Sequence, residues 1–222
     1  IKMNLNIEQG SFKYEQQDSG DFFAALNEED KFEGSLEVEK VGFDYNSLFP
    51  DQINRAWERE AEVDQLSELL YNKNNVPVAI IGPEGVGKHT ILQESIFRYL
   101  SEPKPAVERK QNIWHLNPNR IIAGMSIIGH WQKRLEAIIE FIRHPEGQGK
   151  APDKLLFDNS IALLTVGKSA QNNLAFSDIL KPYLEKRELQ VILIATIEEW
   201  KIIQEKNRSF AGLFQILRLQ AP

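Results

Sequence analysis

The run "VPVAIIGPEGVGKHTILQESIFRYLSE", residues 76–102, constrains this chain more than any other stretch. A short, continuously apolar strand ends at Gly82. Gly82-Pro83-Glu84-Gly85-Val86-Gly87-Lys88 follows with the spacing G-x-x-x-x-G-K. Then comes a helical pattern that stops before Pro103. Glycines at these places let backbone N–H groups turn inward around an anion, and the helix presents its positive dipole end to the same point. Lys88 is placed to reach the β and γ phosphates of a nucleotide. The bland alternative is a glycine-rich turn with an exposed lysine, and its position between strand and helix argues against that.

The remaining pattern repeats the alternation of strand and helix. "NIWHL", "DKLLFDNSIALL", "QVILIATIEEW" and "LFQILRLQ" each contain a strand-sized apolar run. "DQINRAWEREAEVDQLSELLYN" spaces Ile53, Trp57, Val63, Leu66, Leu69 and Leu70 for one helical face. "GHWQKRLEAIIEFIRH" does the same with Trp131, Leu135, Ile138, Ile139 and Ile142, and "LAFSDILKPYLEKREL" predicts a further helix. Strands that are apolar throughout, with helices between them, predict an α/β fold: a five-stranded parallel sheet with helices on both faces. Residues 1–45 are acidic and poorly patterned, with one apolar piece, "DFFAALNEEDKF". They read as a linker or the remnant of an upstream domain, ahead of an α/β domain spanning 46–222.

Ligands of such sheets lie beyond the carboxyl ends of the strands, so the residues just after each strand carry the chemistry. Asp158-Asn159 closes the third strand, where a phosphate-loop enzyme holds the water shell of its magnesium. Asn159 can orient a water but cannot take its proton at neutral pH. Thr196 closes the fourth strand, where a hydroxyl can sense the γ-phosphate. His115, His130 and His144 show no metal-ligand spacing and read as surface or helix-end residues. Trp114 and Trp131 read as core, and "EEDKFEGSLEVE" as a solvated acidic face.

Composition excludes several classes. The net charge of −6 gives no general attraction for nucleic acid or an anionic membrane. No apolar run reaches the roughly 18 residues of a membrane span. Cysteine is absent, which fits a reducing compartment, and a cytoplasmic location is the expectation.

These residues resemble the large subdomain of a Clp-type AAA+ ATPase, the protein-unfolding ring chaperones. The likeness runs from "LEVEKVGFDYNSL" to the C-terminus. Its anchors are "REAEVDQLSELLYNKNNVPVAIIGPEGVGKHTIL", "IIAGMSIIGHWQKRLEAII", "KLLFDNSIALL", "SDILKPYLEKREL" and "IATIEEWKIIQEKNRSFAGLFQ". The resemblance implies the P-loop three-layer sandwich, ATP or ADP as ligand, protein partners or clients, and assembly into a homo- or hetero-oligomeric ring. It implies an adenine pocket around Ala56, Trp57 and Arg59 and a phosphate loop of Gly82, Pro83, Glu84, Gly85, Val86, Gly87, Lys88, His89 and Thr90. It further implies Asp158 as the magnesium-side acid and Thr196 as the sensor. A helical lid is expected to follow "LFQILRLQAP".

The departures fall on chemistry rather than on fold. His89 stands where the family has the magnesium-binding Ser or Thr, which leaves Mg²⁺ an open question. Thr90 is one place late, a rotation of about 100° on a helix. Asn159 replaces the catalytic Glu, whose removal costs roughly 10² to 10⁴ in rate. Gly212 and Leu213 replace consecutive arginines of a class that contributes about 10³ to 10⁵ where such cations act in phosphoryl transfer. Ile127 replaces the aromatic residue of the polypeptide-gripping loop. The resulting expectation is a nucleotide-binding module with impaired or lost hydrolysis, acting as a structural or regulatory part of a larger assembly. Two alternatives stand beside it: an active ATP-dependent unfoldase subunit, and a nucleotide-free protein-interaction domain.

Overall fold

Strand β2 (Val78–Ile81) and strand β5 (Gln190–Ala195) are buried along their whole length. Their side chains divide between two cores. Ala79, Ile81, Val191, Leu193 and Ala195 point into one. Val78, Ile80, Ile192 and Ile194 point into the other. This is the period-2 geometry of a strand covered on both faces. The computed structural model describes residues 32–103, 110–125, 129–145, 151–168 and 173–221. "DFFAALNEEDKF" lies almost entirely outside them, as does Ile127.

The sheet has six strands in the order β1-β3-β4-β5-β2-β6, with β1 at Gly42–Asp44, β3 at Ile113–Leu116, β4 at Lys154–Phe157 and β6 at Gln215–Arg218. The five strands expected from sequence are all present and parallel to one another. The sixth, β1, pairs antiparallel with β3, Phe43 opposite His115. It is three residues long and begins with glycine, too short for a periodicity signal.

Helix α1 (Gly34–Val41) precedes β1, and both fall in the stretch that reads from sequence as linker. Val38 and Val41 enter the first core. Glu37, part of the expected solvated acidic face, is instead buried against Arg134, whose Nε donates to Glu37 Oε2 over 2.5 Å. The pair links α1 to the later helix α5 (His130–Arg143).

On the second face lie α2 (Glu60–Tyr71) and α3 (Lys88–Ser101), contributing Val63, Leu66, Leu70, Ile91, Leu92 and Ile96. The predicted long helix over 51–72 begins only at Glu60. Ile53 is buried but lies outside the helix, and Trp57 is 80% exposed rather than on a buried face. The reason is local. Asn54 N–H and Ala56 N–H donate to the side chains of Gln93 and Glu94 on α3 instead of to carbonyls four residues back. Glu58 then takes a left-handed φ of 58°, which no helix accommodates.

The first face carries α4 (Pro118–Ile122), α5, α6 (Ala162–Thr165), α7 (Phe176–Glu185), α8 (Ile197–Lys206) and α9 (Arg208–Ala211). Trp131 stacks on Phe176 with centroids 5.1 Å apart, so it is core as expected. Trp114 is partly buried against the same core. Helices after the neighbouring strands β2 and β5 leave toward opposite faces, which opens a crevice at their carboxyl ends.

Candidate phosphate-binding site

The loop 82–88 occupies that crevice. Gly82 N–H donates to Ala195 O at the end of β5 over 3.3 Å, which fixes where the loop starts. Gly85 and Gly87 have φ of 73° and 90°, conformations that L side chains rarely adopt. Their freedom lets the chain fold back and enter α3 directly at Lys88. Pro83, Glu84 and Gly85 are exposed, whereas Val86 is buried in the second core and anchors the loop. Arg59 Nη1 donates to Val86 O over 3.2 Å. Lys88 Nζ lies back along the loop, donating to Gly82 O at 2.9 Å and Pro83 O at 2.7 Å. The first-turn N–H groups of α3 have no partner within the helix, so they are the donors an anion would meet.

Beside the loop runs a groove of about 270 Å³ lined by Ala56, Trp57, Arg59, Val86, Gly87 and Thr90, among others. Its outer wall is held by Glu94, a buried carboxylate on α3. Glu94 accepts from Arg55 Nε at 2.6 Å, from Ala56 N–H at 3.3 Å and from Arg98 Nε at 3.3 Å. The Arg55 guanidinium, hydrogen-bonded to it, holds the Glu94 carboxyl below its usual range against the opposing effect of burial. Arg55 also lies 3.7 Å over the ring of Phe97. Thr90 faces this groove while His89 faces Asp158, which is the divergence expected of neighbours on a helix.

The larger groove of about 550 Å³ lies elsewhere, between α8, α9 and β6, lined by Trp200, Arg208, Gly212 and Phe214 among others. It contains none of the loop residues. Size does not locate the chemistry here; the converging donors do.

At the ends of β3 and β4 the structure gathers Asp158, His89, His115 and Tyr45. His115 Nε2 lies 2.8 Å from Asp158 Oδ1. The ring N–H does not point along that line, so this is a close contact rather than an aligned hydrogen bond. His89 Nε2 stands 4.0 Å from Asp158 Oδ2, and its Nδ1 shares a hydrogen bond of 3.0 Å with Tyr45 Oη. The His115 imidazole beside Asp158 holds its carboxyl below the ordinary carboxylate range. Burial pushes His89 below the ordinary imidazole range, which Asp158 only partly opposes. Burial and the Asp158 charge both raise the Tyr45 phenol.

These residues do not fit Mg²⁺. That ion demands near-octahedral oxygen ligation and keeps several waters, and imidazole suits it poorly. Here imidazoles face both oxygens of Asp158. Among the described residues no group of three or more His, Asp or Glu side chains is arranged to hold a metal ion.

Asn159 follows Asp158, half-buried at the end of β4. Thr196 is the N-cap of α8. Its hydroxyl accepts from Glu199 N–H at 3.1 Å, while Glu199 Oε2 accepts from Thr196 N–H at 2.7 Å. Gly212 and Leu213 form the turn after α9.

His115 reads from sequence as an ordinary surface residue, and the structure corrects that. The signal lay in its strand: "NIWHL" ends toward the same edge as "KLLFD", and β3 and β4 are neighbours with His115 opposite Leu156. Tyr45 carries no comparable signal, since it sits in a short 3₁₀ turn (Tyr45–Leu48) after an edge strand.

No protein-family model matches the chain. It is 24% identical over 198 residues to the chaperone protein ClpB of Aquifex aeolicus, covering 89% of this chain and 19% of that protein. It is 26% identical over 172 residues to the negative regulator of genetic competence ClpC/MecB of Bacillus subtilis, covering 78% of this chain and 20% of that protein. A closed-state reconstruction of Hsp104 with ATPγS and FITC casein superposes with a TM-score of 0.70 at 23% identity, over 84% of this chain and 31% of that one. The chain thus spans only about a fifth of these curated relatives. It is homologous to the ClpB and ClpC AAA+ chaperones over most of its length, and it shares the AAA+ P-loop fold with Hsp104.

Proposed function

We propose that this chain is an ATP- or ADP-binding module of a Clp-like AAA+ assembly in the cytoplasm, with hydrolysis impaired or lost. It forms the large α/β subdomain, and its role is structural or regulatory within a homo- or hetero-oligomeric ring of protein partners. The observation that carries this reading is a division within one site. What supports anion binding is the left-handed Gly85 and Gly87, Lys88 at the start of a 14-residue helix, and the groove along Ala56 and Trp57. What speaks against bond breaking is that imidazoles crowd Asp158 and that Asn159, which cannot accept a proton, follows it.

Thermal unfolding with nucleotide and phosphate release under the same conditions test it. At 100 times Kd a ligand adds about 2.7 kcal/mol of stability. ADP and ATP should therefore raise the Tm of the chain but not that of Lys88→Ala, with no phosphate release that Lys88→Ala abolishes. Magnesium-dependent turnover lost in Lys88→Ala would make the chain an active unfoldase subunit instead. No Tm shift at millimolar nucleotide would make it an interaction domain.

A further inference from the structure

The mismatch between this site and magnesium has a binding consequence, and it rests on the nucleotide reading above. We infer that the module takes its nucleoside di- or triphosphate in the metal-free form, with the rings around Asp158 closing the place a divalent ion would use.

Each oxygen of Asp158 has an imidazole beside it. Oδ1 has His115 Nε2 at 2.8 Å, and Oδ2 has His89 Nε2 at 4.0 Å. An ion bound directly to Asp158 would meet an imidazole beside each carboxylate oxygen. Neither is loose. His89 is tied through Nδ1 to Tyr45 Oη at 3.0 Å. The Tyr45 ring meets the His115 ring edge to face with centroids 5.6 Å apart, and lies 6.4 Å from that of His89. Tyr45 itself is 7% exposed and belongs to the second core. Tyr45 thus touches both imidazoles from a buried position. Thr90, the nearest hydroxyl in sequence, faces the groove. The groups that meet an anion without a metal all remain: the loop and first-turn amides and the Lys88 ammonium.

Isothermal titration of the chain with ADP and with ATP, once in EDTA and once in excess MgCl₂, tests this. The expected result is measurable binding in EDTA, tightened by magnesium less than about threefold. Any larger tightening, or binding confined to the magnesium arm, overturns the inference while leaving the nucleotide reading standing. Absence of binding in both arms overturns both. A second arm uses the double variant His89→Ser, His115→Ala, which restores a hydroxyl and clears Asp158. It should gain tightening by magnesium of about tenfold. A folded variant that binds nucleotide without that gain shows the imidazoles are not what excludes the ion, and overturns the assignment.

Discussion

Glu94 supports the groove along Ala56 and Trp57 without lining it. Its carboxylate is almost fully buried and holds Arg55, Ala56 N–H and Arg98 at once. Glu94→Gln keeps the shape but removes the charge, weakening hydrogen bonds of the charged kind, each worth about 1.5–3 kcal/mol. Arg55 is 42% exposed, so solvent screens its share and the lower end applies, about 1.5 kcal/mol. Urea unfolding at pH 7 measures it. The pH dependence follows in sign. The folded-state carboxyl titrates below its ordinary value of 4.5. Its stabilising share is therefore full above that value and fades as the pH falls through the depressed one. The wild type should lose this increment in acid and Glu94→Gln should not.

At the scale of elements, Thr196 shows how one residue serves the fold whatever else it does. It closes a reciprocal capping box with Glu199 at the start of α8. Thr196→Ala should cost about 1 kcal/mol, and Thr196→Asp should recover most of it, since both Thr and Asp cap well. Chemical unfolding reads this directly. Most elements of the parallel sheet are legible in the sequence because "VAII", "KLLF" and "QVILIA" are buried on both sides, and such runs advertise themselves without any partner being known. The segment 51–59 misleads because its helical spacing is real, yet its N–H groups are taken by Gln93 and Glu94, some forty positions away. Spacing alone places the loop and Asp158. It cannot place the imidazoles around Asp158, because they converge from separate elements, α3 and β3, and meet only in three dimensions.

For the molecule as a whole, the α1–β1 arm shows how far the described unit reaches toward the N-terminus. Its helix packs through Val38 and Val41, and its buried Glu37 meets Arg134 across 97 positions of sequence. That ion pair makes the arm part of the folded unit rather than an appendage. The tryptophans divide in a similarly uneven way. Trp131 and Trp200 are buried and Trp114 is half-covered, but Trp57 stands 80% exposed at the lip of the groove. Its emission should be that of a hydrated indole, shifting to the blue or quenching when adenine nucleotide enters, and the change should vanish in Trp57→Phe. Under the proposed nucleotide reading, the fold carries its own optical gauge at the mouth of the groove, and a fluorimeter can follow occupancy without any label.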